Sequence, residues 1–453
     1  MTNDRDAYSP NDFPDGSDSA MIQAAVDAAE AEGLGKVVIP RFNRRGARAV
    51  WNIDRTILLP SDFTLILDDC HLRMADGAMC RMFQNRNTDT ETGNTRAGIQ
   101  RNIRIIGLGN PILDGGEPNG LDERTSQKDG RPHCSQNLTV YFHGVENFTI
   151  ENLTVTDQRW WGLMFMFCEQ GRIENIRFRL TRHALDTHAA WRNQDGLDFR
   201  IGCHHITVRG ISGEVGDDMI ALTALNDEEL EQKGTIAGAD CDIHDILLED
   251  VRGVSNMCAI VRLLNHYRFK IYNITMRDIF EPGRPGQENK AQTAIRIGDN
   301  RYFRKPSDRV RHGEIFNLHI ENLYTRALTA IFTVVTVKNL TARNIHLLED
   351  GQNVWCCGEF HRNTPGFIFV PERQAEVAKS ILVPTANPCS TIAENVLIEN
   401  VYYTARSPAP VKLFRFLETE FRNVSIRNVC NDSPYEQFEY SGNCSGEIKG
   451  EAE

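Results

Sequence analysis

FTIENLTVTDQRWWGLMFMFCEQGRIENIRF, residues 148–178, states one short pattern twice. FTIENLTV (148–155) and GRIENIRF (171–178) alternate apolar with polar residues and place an Asn between two apolar positions, Asn152 in the first and Asn175 in the second. The pattern continues in ITVRGISG (206–213), ILLEDVRG (246–253), FKIYNITM (269–276), LHIENLYT (318–325), LTARNIHL (340–347), VLIENVYY (396–403) and VSIRNVCN (424–431). The Asn, Asp or Gly markers fall at 152, 175, 210, 250, 273, 322, 344, 400 and 428, and three intervals are 22 or 23 residues. The other intervals are lengthened by polar inserts. Alternation marks half-buried strands. A fixed period marks a solenoid whose equivalent positions stack about 4.8 Å apart on successive coils. Asn at a turn position tolerates the left-handed conformation and can bond to the Asn of the next coil. A propeller blade needs roughly 40 residues or more, too long for this period. The spacing therefore predicts an all-β, single-domain, right-handed parallel β-helix. The Asn-x-Thr matches at Asn152 and Asn273 are then coil turns rather than glycosylation sites.

The rest of the chain fits that frame. Its 453 residues are 41% apolar and 25% charged, an ordinary globular composition, and the net charge of -12 disfavours nucleic acid or an anionic membrane as partner. No apolar run reaches the roughly 18 residues of a transmembrane helix. MTNDRDAYSPNDFPDGSDSA (1–20) lacks the apolar centre of a secretory signal, which points to the cytoplasm. The twelve Cys show no zinc-site spacing, and those in MFCEQ (166–170) and NMCAIV (256–261) read as buried, reduced thiols. Residues 1–16 form a polar segment. SDSAMIQAAVDAAEAEG (17–33) predicts a helix with Ile22, Ala25, Val26 and Ala29 on one face and Gly33 just past its end, capping the open first coil. The β-helix runs to residue 430, and 431–453 is a polar cap or loose tail. KVVIP (36–40), TLILDDCHLRM (64–74) and NIRIIGLGNPILDGG (102–116) supply the first strands, and no helix follows the glycines of the last, so it is not a phosphate loop. Inserts at 116–135, 226–242, 281–293, 299–313 and 349–393 are the expected walls of a groove.

RNQDGLDFRIGCHHITVRGISGEVGDDMIAL (192–222) holds the candidate chemistry. Asp195 lies 22 residues before Asp217 and 23 before Asp218, one coil in either case, which predicts three carboxylates side by side on neighbouring coils. Like charges so close keep one group protonated and another ionised, the acid and base that glycoside hydrolysis needs. Turn capping, or a cation such as Ca²⁺, is the alternative use of such acids. The coincidence of two acid groups with the coil period favours catalysis.

NQDGLDF (193–199) followed by VGDDMIAL (215–222) resembles the polygalacturonase-type glycoside hydrolases, glycoside hydrolase family 28, as a divergent member. In that family N-T-D-G and G-D-D-C segments carry three catalytic aspartates on a right-handed parallel β-helix. The region 16–40 and IRIIGLGNPILDGGEPNG (103–120) also resemble the family's opening helix and early coils. The resemblance implies an inverting hydrolase with Asp217 as general acid, Asp195 and Asp218 holding the water, and Asn193 orienting the first group. Two departures stand out. Cys258 in NMCAIVRL (256–263) stands where the family has the His of G-H-G. The family's R-I-K is AIRIGD (294–299), in which Arg296 matches and Gly298 replaces the Lys. Arg262, on the intervening coil, is the candidate second cation for a substrate carboxylate. The substrate is expected to be a pectin-like or related oligosaccharide, its sugar a uronic acid or neutral.

Trp160, Trp161 and Trp191 are candidates for stacking on sugar rings. Successive strand residues point to opposite faces, so one of Trp160 and Trp161 should face the core. His183, His188, His204 and His205 read first as structural or turn residues, and His188 or His183 is the best stand-in for the missing His. No HxH or HExxH pattern appears, and neither metal nor other cofactor is expected. The long inserts suggest a walled pocket and exo-action. Two other readings share the fold: a Ca²⁺-dependent polysaccharide lyase or uronate epimerase with Arg262 or Arg296 as base, and a non-catalytic carbohydrate-binding β-helix. Nothing in the sequence sets an oligomeric state.

Overall fold

The alternating apolar residues of the repeats form strands that pair in parallel, residue for residue, with the strand of the next coil. A computed structural model describes residues 6–181, 193–225, 235–256, 258–283, 291–298, 309–348, 353–358, 391–403, 411–431 and 435–450. They fall into two compact units, residues 1–216 with 227–240 and residues 217–226 with 241–453.

In the first unit the helix Asp18–Ala31 precedes the strands. Ser17 accepts the Ala20 N–H at its start, and Gly33 takes a φ of +69° beyond its end. Met21, Ile22, Ala25, Val26 and Ala29 are buried, which is the apolar face expected from the sequence. Long strands then form one parallel sheet in the order Lys36–Pro40, Phe63–Asp68, Gln100–Leu108, Val145–Thr156, Glu169–Arg179, His204–Val215. Short strands form a second, in the order Ile57–Leu59, Phe83–Asn85, Val140–His143, Leu163–Met166, Leu197–Arg200. The chain alternates between the sheets, one long and one short strand per coil through most of the unit. Phe142, Phe165 and Phe199 stand in register between them, and the last two rings stack 5.3 Å apart.

The second unit repeats the plan. Its long strands run Ile243–Ser255, Ile271–Glu281, Ile315–Thr325, Val337–Leu347, Thr391–Tyr403, Thr419–Asn431, and its short strands Ile220–Ala224, Ala259–Asn265, Thr293–Ile297, Thr329–Thr333, Asn353–Cys357, Val411–Leu417. Val261, Ile295, Ile331, Trp355 and Phe414 make one core column. Past residue 431, where the sequence suggests a cap or loose tail, Tyr435–Ser441 and Ile448–Gly450 extend both sheets, because backbone pairing does not need apolar side chains.

Each long strand from Val145–Thr156 to Thr419–Asn431 bends at two left-handed residues five positions apart, such as Asn317 and Asn322, Asn339 and Asn344, Asn395 and Asn400, Asn423 and Asn428. Both positions form amide ladders: Asn317 donates to Asn273 (3.0 Å) and Asn339 to Asn317 (2.9 Å), while Asn322 donates to Asp278 (2.8 Å) and Asn344 to Asn322 (2.9 Å). One marker of the sequence pattern is thereby corrected. Asn273 belongs with Asp245 and Asn317, and the residue equivalent to Asp250 and Asn322 is Asp278. FKIYNITM resembles the other repeats because the two ladder positions share the same residue chemistry.

The two sheets differ on their outward faces. Ile315–Thr325 exposes Asn317 and Tyr324, whereas Ala259–Asn265, Thr293–Ile297 and Thr329–Thr333 are buried at every position. Polar side chains on the short-strand sheets are therefore enclosed, and the candidate chemistry lies there. As a check on the ladder, Asn322→Ala is expected to cost about 2–3 kcal/mol in denaturant unfolding, from two lost hydrogen bonds and the exchange of Asn for a residue that tolerates positive φ less well. Asn322→Gly, which relieves the second cost, should cost about 1–2 kcal/mol.

Candidate active site

Asp217 and Asp218 immediately precede the short strand Ile220–Ala224, and both are buried. The turn opposite them is fixed by Ser255, whose hydroxyl donates to the Asp217 carbonyl and accepts the Cys258 N–H at 3.0 Å. This aligns the next short strand so that the Ala259 N–H donates to Asp218 Oδ1 at 3.2 Å. Arg262 sits farther along that strand, in register with Ala221 on one side and Arg296 on the other. Its Nε lies 2.9 Å from Asp218 Oδ2. The Cys258 sulfur lies within 4.8 Å of carboxylate oxygens on both Asp217 and Asp218.

Asp218 thus has one oxygen on a backbone amide, the other on a guanidinium, and a thiol alongside. Burial still dominates its ionisation and pushes the carboxyl up to about 6. The Arg262 guanidinium opposes that rise, the Asp217 charge adds to it, and Cys258 and Arg296 oppose it. Cys258 itself is held well above the ordinary thiol range by burial, then by the charges of Asp218 and Asp217, so it is a neutral donor and not a thiolate.

Arg296 is buried and lies over the Phe332 ring, its centroid 5.5 Å away. The residue two positions on is Gly298, at a φ of +82°, where a β-carbon would meet Val335 Cγ2 at 2.5 Å. A lysine cannot take that place without moving the backbone. The second guanidinium of the face is Arg262 instead, one strand away from Arg296, as the register of the sequence suggested.

Asp217, Asp218 and Cys258 hold one donor atom each within 4.8 Å of one another. Ca²⁺ takes six to eight hard oxygen ligands, and a buried thiol with an arginine at 2.9 Å from one carboxylate does not fit it. The Ca²⁺-dependent lyase or epimerase reading has no support in this donor set.

The first unit carries the remaining candidates. Asp195 is fully buried, and its carbonyl accepts the Gly162 N–H at 2.9 Å and Gln158 Nε2 at 3.1 Å. Gln194 returns Nε2 to the Gln158 carbonyl at 2.8 Å. Gly216 N–H donates to the Gln194 carbonyl at 3.0 Å, and a β-carbon on Gly216 would lie 2.9 Å from that of Gln194, which explains the glycine before the acidic pair. Asp198 is buried on the outward face, in register with Met164 and Tyr141.

Asn193 Nδ2 and Trp160 Nε1 donate to the same oxygen of Glu123, at 3.1 and 3.2 Å. Glu123 lies in the 116–135 insert and ties that wall to Asn193. It was not foreseeable, because neither partner is near it in sequence. Trp160 and Trp161 depart from the expected opposite facing. They lie in the bend before Leu163–Met166, not in a strand, and their rings stack at 3.9 Å. Arg200 lies over Trp161 at 5.3 Å, and both rings are buried, so they support Arg200 rather than present an open face. His204 and His205 begin the long strand His204–Val215, on the other sheet from Asp198. Trp191, His183 and His188, and most of the four later inserts, lie outside the described residues. Among the described residues no helix is long and apolar enough to cross a membrane.

No family model matches the sequence, and no curated protein matches it. Solved structures do. A tailspike protein mutant of E. coli bacteriophage HK620, in complex with a pentasaccharide, matches at 12% identity over 95% of this chain and 78% of its own, with a TM-score of 0.52. PfbA, a surface adhesin of Streptococcus pneumoniae, matches at 11% over 96% and 92%, with 0.54. The Family 28 exopolygalacturonase of Yersinia enterocolitica matches at 14% over 98% and 79%, with 0.48. The tailspike and the adhesin share the parallel β-helix with this chain, a likeness of fold.

Asp218 binds its proton more tightly in the folded chain than unfolded, so its contribution to stability is full at low pH and is lost as pH rises toward and through about 6. Unfolding free energies of the native chain and of Asp218→Asn should be closest near pH 4. They should diverge in favour of the variant by neutral pH, by on the order of 2 kcal/mol.

Proposed function

We propose that this chain is a glycoside hydrolase that cleaves a pectin-like or related oligosaccharide from its end, with inversion at the anomeric carbon. The observation that carries this reading is the pair of adjacent buried carboxylates, one of them held by an amide and a guanidinium. A carboxylate fixed in that way has one orientation and suits the base that holds and deprotonates a water. Its neighbour Asp217 suits the acid that protonates the leaving oxygen. Asp195, one coil before Asp217 in the sequence period, is the third carboxylate that the resemblance assigns to the chemistry. Asn193 orients the substrate side of Asp195. Arg262 and Arg296, buried on adjacent strands, suit an acidic group on the sugar. The tailspike of the same fold, described with a pentasaccharide, supports a carbohydrate partner.

Water attacks the anomeric carbon as Asp218 takes its proton and Asp217 gives one to the departing glycosidic oxygen. One proton enters the pair and one leaves, so both carboxyls finish in exchanged states and reset through solvent. Burial of Asp218 keeps the base weak enough to be reprotonated near neutral pH and strong enough to accept.

The test is hydrolysis of a panel of pectic and non-pectic oligosaccharides with NMR of the fresh anomer. An inverted anomer is expected, and a retained one rejects the mechanism. Asp217→Asn should lower kcat by about 10²–10⁴ with KM little changed. Turnover unchanged in that variant would leave a non-catalytic carbohydrate-binding β-helix. EDTA should have no effect, and an unsaturated uronate product would turn the reading to a lyase. With Asp218 as base, kcat/KM should fall as pH falls through about 6. Were Asp218 the acid, the rate would fall as pH rises through the same value.

A further inference from the structure

We infer that Cys258 is a positioning residue for the carboxylate pair, its thiol packed against Asp217 and Asp218 within donating reach and so setting where the Asp218 carboxylate points. The inference rests on the hydrolase reading only for its kinetic consequence. Three observations carry it. The Cys258 backbone is pinned by its N–H on Ser255 Oγ, and the Ser255 hydroxyl in turn holds the Asp217 carbonyl, so the thiol and the pair move as one piece. Its sulfur lies within 4.8 Å of carboxylate oxygens on both Asp217 and Asp218. The side chain is buried, just before the short strand Ala259–Asn265.

The groups facing the thiol are Asp217, Asp218, Arg262 and Arg296. Two acids oppose its ionisation and two arginines favour it. With burial added, the acids prevail and the proton stays on sulfur. A donor that keeps its proton stabilises a charged acceptor, so the thiol holds Asp218 lower than burial alone would. A sulfhydryl is a weak donor, and this is a trim on Asp218 rather than its main anchor, which is Arg262.

The experiment is a carbon-13 NMR titration of the full chain labelled at aspartate carboxyls, the Asp218 signal assigned by its loss in Asp218→Asn. Cys258→Ala should raise the Asp218 midpoint by roughly 0.5–1 pH unit, the worth of one modest hydrogen bond. Cys258→Ser, which keeps a hydroxyl donor, should return it to the native value or lower. Cys258→Val, without a donor and close to the thiol in volume, reads the same loss should the smaller alanine unsettle the fold. In active protein the acidic limb of kcat/KM should move with the midpoint while KM stays constant. An unchanged midpoint in both donor-free variants overturns the inference, as does an equal rise in Cys258→Ser, which would mean packing alone. A chain that hydrolyses no oligosaccharide removes the proposed function but leaves the titration, and hence the role of Cys258, fully readable.

Discussion

In-register parallel pairing is the constraint on which the structure depends. When each strand lies on its equivalent in the next coil, every side chain meets a residue at the same position about 4.8 Å away. Apolar positions become columns, as in Val261, Ile295, Ile331 and Trp355. Bends must recur at the same place on each coil, and they require residues that tolerate positive φ. Asn meets that need and also has a donor and an acceptor to reach both neighbours, so the bend of one coil supports the next. The same rule brings like charges together. Arg262 and Arg296 are register partners, a repulsive pairing on a buried face unless acids stand close, and Asp218 stands 2.9 Å from Arg262.

The division of labour between sheets follows from exposure. Long strands present their outer positions to water and carry surface ion pairs such as Arg343 with Glu399, which add little stability. Short strands such as Ala259–Asn265, Thr293–Ile297 and Thr329–Thr333 are enclosed on both faces. Charges there lose hydration, so their ionisation responds to near neighbours, and a carboxyl such as Asp218 is displaced far from its solution behaviour. Chemistry that needs a proton acceptor working near neutral pH belongs on that face.

Much of the fold was legible in the sequence because the solenoid writes its period directly into the residues. The helix Asp18–Ala31, the strand runs and the Asn turns were all visible, and so was the register of Arg262 with Arg296. The period was blurred at Asn273, because each coil has two left-handed positions of the same chemistry and one marker cannot tell them apart. Contacts made by inserts were not legible. Glu123 meets Asn193 across 70 residues and Trp160 across 37, distances no period encodes. The stacking of Trp160 on Trp161 was missed because alternation applies to extended strand and these two occupy a bend. Gln158 carried no motif, and Gln194 stood inside NQDGLDF without a role assigned to it, yet they clamp the backbone at Asp195.

The departures from the family pattern have a common physical basis. Gly298 holds a left-handed backbone against Val335, so a long cation cannot be rooted there. Arg262, one strand over, has ordinary extended backbone and a straight path along the same face, and it reaches Asp218 as well as facing Arg296. One side chain then serves two purposes, balancing the Asp218 charge and adding positive charge to the same face. These demands compete. An anion bound on that face would share the guanidinium and weaken its hold on Asp218, raising the proton affinity of the carboxyl. The Cys258 thiol is a neutral donor that such an anion does not draw away, so it steadies Asp218 through that exchange. A neutral donor beside an ion pair thus lets the charge be redistributed without the carboxylate losing its orientation.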